Sequence, residues 1–128
     1  MTTTPSEQED APPPPFDPAA LDRLKRFGGA KLLGEMIALF LAAAPERLAA
    51  ARAATDDGNA ADAELALHSL KSSAAQLGAM RMQRLAEQGE KLAKAGTLMI
   101  VDLLIQDLED EFTRVREWLG RAQQGEVV

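Results

Sequence analysis

The chain has no cysteine and no tyrosine, one tryptophan and one histidine. Without cysteine there is no disulfide framework, no thiolate nucleophile and no zinc ribbon, a composition that suits a reducing compartment. A single histidine excludes multi-histidine metal sites. Basic charge is also short: 14 Lys and Arg against 20 Asp and Glu leave a net charge of -6, which repels nucleic acid and anionic lipid wherever no local basic cluster intervenes. Partners are therefore expected to be proteins. The longest apolar run, Met36 to Ala44, is less than half of a bilayer span and is flanked by Glu35 and Pro45, so no membrane crossing is expected. Aromatic residues make up 4%, and no stretch alternates with period two, which argues against strands.

What remains is alanine, leucine and charge over 128 residues, enough for one core. Met1 to Pro15 holds threonine, acid and the proline run Pro12 to Pro15, and lacks the basic start and apolar centre of a secretory signal. It reads as a disordered leader, in part polyproline II; a ligand for a proline-binding groove would want a basic anchor, and none lies near. The globular domain is expected over residues 16–122, followed by a flexible tail over 123–128.

Asp17 and Pro18 form an N-cap with proline at the first helical position, and Leu21, Leu24 and Phe27 make a short apolar stripe that Gly28-Gly29 ends. A second helix is expected from Ala30 to Thr55 on Leu33, Ile37, Phe40, Ala44, Leu48 and Ala51, with a kink at Pro45. Asp56-Asp57-Gly58 supplies a turn, and Asn59 caps a third helix that reaches Leu77 before Gly78 stops it. A fourth runs from Ala79 to Ala95. Thr97 then caps the longest element, where Leu98, Val101, Ile105, Leu108, Phe112, Val115 and Leu119 step by three and four. Short turns force successive helices to return on one another. The expected fold is all-α: an up-and-down antiparallel four-helix bundle with a short N-terminal helix over one end.

On a wheel of roughly 100° per residue, Ala63, Ala66, Leu67, Leu70, Ala74 and Leu77 gather on one side of the third helix. His68 points away from them, among Glu64, Leu65, Lys71, Ser72, Ala75 and Gln76. Short side chains around an outward imidazole leave room for another protein to approach. A neutral imidazole is a nucleophile at cellular pH, and Lys71, one turn on, can meet a phosphoryl group placed on the ring, with the Ser72 hydroxyl as a further donor. An exposed histidine on a helix is also an ordinary surface residue, and periodicity does not choose between the two.

The string His68-Ser69-Leu70-Lys71-Ser72-Ser73-Ala74-Ala75-Gln76-Leu77-Gly78-Ala79 resembles the phosphorylation motif of histidine-containing phosphotransfer (HPt) domains, which carry His-x-Leu-Lys-Gly-Ser, small residues and Leu-Gly-Ala. The resemblance extends over roughly Phe16 to Gly120. It implies a four-helix bundle whose exposed histidine takes a phosphoryl group from a receiver-domain aspartate, or from a hybrid or other sensor histidine kinase, and passes it to another response-regulator receiver. His68 matches the phosphorylated histidine and Lys71 the lysine that steadies the phosphoryl group. Glu90 falls where many members place Glu or Gln toward the other ring nitrogen, holding the tautomer that leaves Nε2 free. Gly89 beside it either permits close helix approach or is an ordinary solvent-facing glycine. Ser72 stands where the family usually has glycine, on the face where a receiver would dock with Glu64, Leu65, Ala75 and Gln76.

The resemblance thus implies a cytoplasmic, monomeric phosphocarrier without kinase or ATPase activity and without a cofactor of its own, Mg2+ being expected only on the partner receiver. Gly28-Gly29-Ala30-Lys31 lacks the spacing of a phosphate-binding loop. The acids Asp107, Glu109, Asp110 and Glu111 read as a solvated face, not a calcium loop. Met80, Met82 and Met99 read as core filler, and Trp118 as a partly exposed anchor. A bundle that docks a receiver through the His68 face without being phosphorylated is the competing expectation. A small-molecule enzyme would need a pocket-forming loop that the sequence does not offer.

Overall fold

A computed structural model of the chain describes residues 14–125. The leader expected over Met1 to Pro15 lies outside the described residues up to Pro13, as do positions 126–128 of the expected tail. Asp17 opens the first helix as its type suggests, its carboxylate accepting the Ala19 N–H at 3.1 Å with Pro18 next in line. Four helices follow: α1 (Pro18–Asp56), α2 (Ala60–Gln76), α3 (Met80–Lys94) and α4 (Leu98–Gln123). Each packs on the next and α4 closes on α1, giving the expected four-helix bundle; no strand occurs among the described residues.

The expected first two helices meet within α1 with their break at Gly29, where Gly28-Gly29 was expected to end the first; the further kink expected at Pro45 does not occur. Gly29 adopts φ 76 and ψ -176, a region that glycine enters readily and other residues do not, while the dihedrals stay helical through Pro45. Pro45 is exposed, so water is at hand for the carbonyl it leaves without a donor. Residues 18–28 lie over one end of the bundle: Ala20 and Leu21 are buried, the Asp17 N–H donates to the Gly78 carbonyl at 2.8 Å, and the Pro15 carbonyl accepts from the Met80 and Arg81 N–H groups. Phe27, expected in that helix's apolar stripe, is 89% exposed because the chain turns away at Gly29 before it can reach the core. Counted by length and mean hydropathy, α1 is long and apolar enough to cross a membrane, which the run Met36 to Ala44 alone does not suggest. Its Ile37, Phe40, Ala44 and Leu48 belong to the bundle core.

The stripes expected on α2 and α4, with Met82, Ala86 and Ala93 of α3, form the rest of that core; Leu67, Leu70, Leu77, Ile105, Leu108, Val115 and Leu119 are sealed from solvent. Three other expectations are corrected. Trp118 is buried, since Phe16 stacks on it with ring centroids 4.7 Å apart. Met82 is core, but Met99, at the exposed start of α4, is 84% exposed. Thr97 stands at the cap position of α4 without a side-chain cap bond.

Glu111 does not share the solvated face of its neighbours. It is 1% exposed at the seam of α3 and α4, with Arg114 Nε at 3.6 Å and Arg81 Nε at 3.7 Å, and neither carboxylate oxygen has a hydrogen bond. Burial pushes its carboxyl above the ordinary 4.5, against the downward pull of Arg114, Arg81 and Arg84. A raised folded value means that the folded chain binds a proton the unfolded chain releases, so stability falls as pH rises from 4.5 through the folded value. Glu111→Gln should therefore gain on the order of 1 kcal/mol over wild type near pH 8 and nothing near pH 4, read from urea unfolding at both. An equal gain at both values would show that the carboxylate charge is not the cause.

Candidate functional site

Helix α2 brings His68 to the surface because its apolar positions leave no other side for it. Asn59 Oδ1 caps its start by accepting the Asp62 N–H at 3.1 Å, and Gly78, at φ 75, ends it. Ala63, Leu67, Leu70 and Ala74 are buried, which fixes the rotation of the helix and leaves the imidazole 55% exposed. Lys71, one turn on, lies on the flank that meets α3.

Helix α3 returns antiparallel, and Gly89 lets it come close. A Cβ on Gly89 would stand 2.8 Å from Leu104 Cδ2 and 3.0 Å from Leu67 Cδ1, so of the two readings of this glycine the structure shows close helix approach. Its neighbour Glu90 is thereby set at the seam. Glu90 Oε2 lies 2.6 Å from His68 Nδ1, and Oε1 lies 2.6 Å from Lys71 Nζ. One carboxylate thus holds two side chains of the facing helix.

The electrostatics follow from that sharing. Burial alone would push the Glu90 carboxyl up, but the bonds from Lys71 and His68 outweigh it and hold it below its usual range. The hydrogen bond to Glu90 raises the Lys71 ammonium; desolvation works against it, and the charges of Glu90 and Glu87 add to the rise. Both groups are charged at neutral pH. A neutral His68 beside an ionised carboxylate donates its Nδ1–H to it, and the lone pair then resides on Nε2.

Around the ring, Leu65, Ser72, Ala75 and Gln76 are exposed and Glu64 is half-buried. A shallow hollow of about 350 Å³ beside the imidazole is lined by Ala61, Glu64, Leu65, His68 and Glu90. The structure thus brings His68, Lys71 and Glu90 together and spreads the other candidate residues over the face around them. What the sequence did not disclose is that Lys71 is bound to Glu90 instead of standing free. Leu67 and Leu104, which pack where a Gly89 side chain would be, are also invisible as site residues. Both facts depend on contacts between helices, whereas periodicity reports only which side of each helix is buried. Among the described residues no cluster of three or more His, Asp or Glu is arranged to hold a metal ion.

An exposed imidazole held at Nδ1, with a cation one turn away, is equipment that a phosphoryl carrier could use. The model of the Hpt domain matches residues 35–118. The chain belongs to the Hpt domain family. As an Hpt domain it serves phosphotransfer in two-component phosphorelays, whose members work with receiver domains and kinases. The crystal structure of histidine-containing phosphotransfer protein B (HptB) from Pseudomonas aeruginosa PAO1 superposes with a TM-score of 0.83 at 25% identity, covering 91% of this chain and 100% of that one. A search of curated proteins returns no match.

Proposed function

We propose that His68 is the residue that carries the phosphoryl group, with Lys71 and Glu90 as its working partners. The observation that carries this reading is the pair of 2.6 Å contacts through which Glu90 fixes both the imidazole and the ammonium. Nε2 attacks the phosphorus of a receiver's aspartyl phosphate; the N–P bond forms as the P–O bond breaks, and the aspartate leaves as a carboxylate. No proton is lost, because Nδ1 keeps its own against Glu90, whose charge balances the imidazolium character of the product. Delivery to the next receiver is the reverse of this step. Lys71 supplies positive charge to the phosphoryl oxygens, exchanging Glu90 for them.

Such a transfer needs more charge stabilisation than one lysine gives, so the Mg2+ and the acidic pocket that binds it belong to the receiver. The chain is read as a cytoplasmic carrier with no ATP chemistry of its own. Its partners are a sensor kinase and response-regulator receivers that dock over Glu64, Leu65, Ser72, Ala75 and Gln76.

The test is to mix the protein with a radiolabelled phospho-receiver and Mg2+. Label on this chain should be acid-labile and alkali-stable, the behaviour of a phosphoramidate and not of an acyl phosphate. A stable complex without label would support a docking module instead and overturn the carrier reading. Within this scheme, Glu90→Ala should slow transfer about 10- to 100-fold, on the scale of losing the carboxylate that orients a metal-bound imidazole. Glu90→Gln should recover much of it, since an amide oxygen still accepts from Nδ1–H. Nitrogen NMR of the ring should show the tautomer shifting in Ala and not in Gln; an unchanged tautomer in Ala would remove Glu90 from this role.

A further inference from the structure

The start of α4 carries an apolar surface that phosphotransfer does not use. Met99 is 84% exposed, Leu103 66% and Ile100 47%, within one turn and a residue of each other. Three large side chains at this spacing form one outward patch, on the order of 300 Å² of apolar area, at the lower end of the largest patches that monomers expose, so its flanking charges decide what it can meet. Helix α4 packs against α1 and α3, so the patch is separated by α3 from the His68 seam.

Charges flank the patch in an asymmetric way. Lys94, the last residue of α3, lies just before the turn that leads into the patch, and Asp107 follows Leu103 by four residues. Nearby charges are already paired: Lys91 with Glu87, Asp102 and Glu109 with Arg52, while Asp110 accepts from Gln106. Lys94 and Asp107 have no ion pair among the described residues. A cation at one end and an anion at the other, with apolar residues between, is a surface complementary to itself when turned through a two-fold axis. Laid antiparallel about the middle of the patch, Met99 of one copy meets Leu103 of the other, and helical spacing carries each Asp107 to the level of the partner's turn, where Lys94 stands.

We infer that this face pairs with a second copy of the chain, forming an antiparallel α4–α4 dimer that leaves His68 open to receivers. The inference is independent of which residue carries the phosphoryl group. The patch is well short of the roughly 800 Å² per partner of a stable complex, so the dimer is weak and concentration-dependent.

Sedimentation equilibrium on the full chain should show the 13.7 kDa monomer at about 10 µM and a mean mass approaching twice that near 1 mM. Leu103→Lys and Met99→Lys, both at exposed positions, should fold normally by circular dichroism and stay monomeric throughout. Lys94→Asp or Asp107→Lys alone should weaken association several-fold, and the two together should restore it. A wild type that is monomeric at 1 mM overturns the proposal, as does association that survives Leu103→Lys. Single charge variants that associate like wild type would overturn the antiparallel pairing.

Discussion

His68→Gln should accept no phosphoryl group from a labelled receiver under conditions that label the wild type, a loss of about 10³-fold or more, limited by detection. The substitution isolates chemistry from fold. His68 is more than half exposed and contributes nothing to the core, so folding stability should change by less than about 0.5 kcal/mol. Glutamine keeps a polar, planar end beside Glu90, but the lone pair of its amide nitrogen is delocalised into the carbonyl and does not attack phosphorus. Lys71 and Glu90 remain paired, so the electrostatics of the face persist, and a receiver should still bind. The expected result is therefore docking without transfer. Label persisting on the variant would place the phosphoryl group elsewhere, and loss of docking would mean that the imidazole contributes to recognition as well as to reaction.

Gly78→Ala should be the costliest single-methyl change in the chain. Gly78 and Gly96 have nearly the same left-handed backbone, at φ 75 and φ 80, so the conformational penalty of a side chain is shared, about 1 to 2 kcal/mol. Their surroundings differ. Nothing lies within 4 Å of a Cβ built on Gly96, whereas one on Gly78 would collide with the Asp17 carbonyl and lie 2.9 Å from Ala20 Cβ. Relief would require moving the segment that the Asp17–Gly78 hydrogen bond holds in place. Gly78→Ala is expected to cost about 3 kcal/mol or more, a large part of the 5 to 15 kcal/mol that stabilises a domain of this size, and Gly96→Ala about 1 to 2. Thermal unfolding of the two variants measures the difference. Equal costs would show that the N-terminal segment yields freely.

The bundle was legible because its helices are strongly one-sided. On α2 the spacing of Leu67, Leu70 and Ala74 dictates that His68 faces outward, and the structure places it there. On α4 the same logic identifies Val101 to Leu119 as the buried stripe. Errors fall where a neighbour decides the outcome. Glu111 and Trp118 sit at the margin of that stripe, and only the return of α3 and the stacking of Phe16 bury them. Pro45 is tolerated because its side of α1 meets water, which a single helix does not reveal. The Lys71–Glu90 pair spans 19 positions between two helices, so no local pattern could announce it. The family resemblance located Glu90; its second bond, to the lysine, came only from the packed seam.

The stacked Phe16 and Trp118 give the molecule an internal optical reporter. Trp118 is the sole tryptophan and the chain contains no tyrosine, so near-ultraviolet emission arises from one place, the junction between the N-terminal segment and the last turns of α4. Undocking of that segment would expose the indole and redden its spectrum, while events confined to the phosphotransfer face would leave the colour unchanged. Light from a single residue can thus separate loosening of the bundle's end from engagement of its working surface.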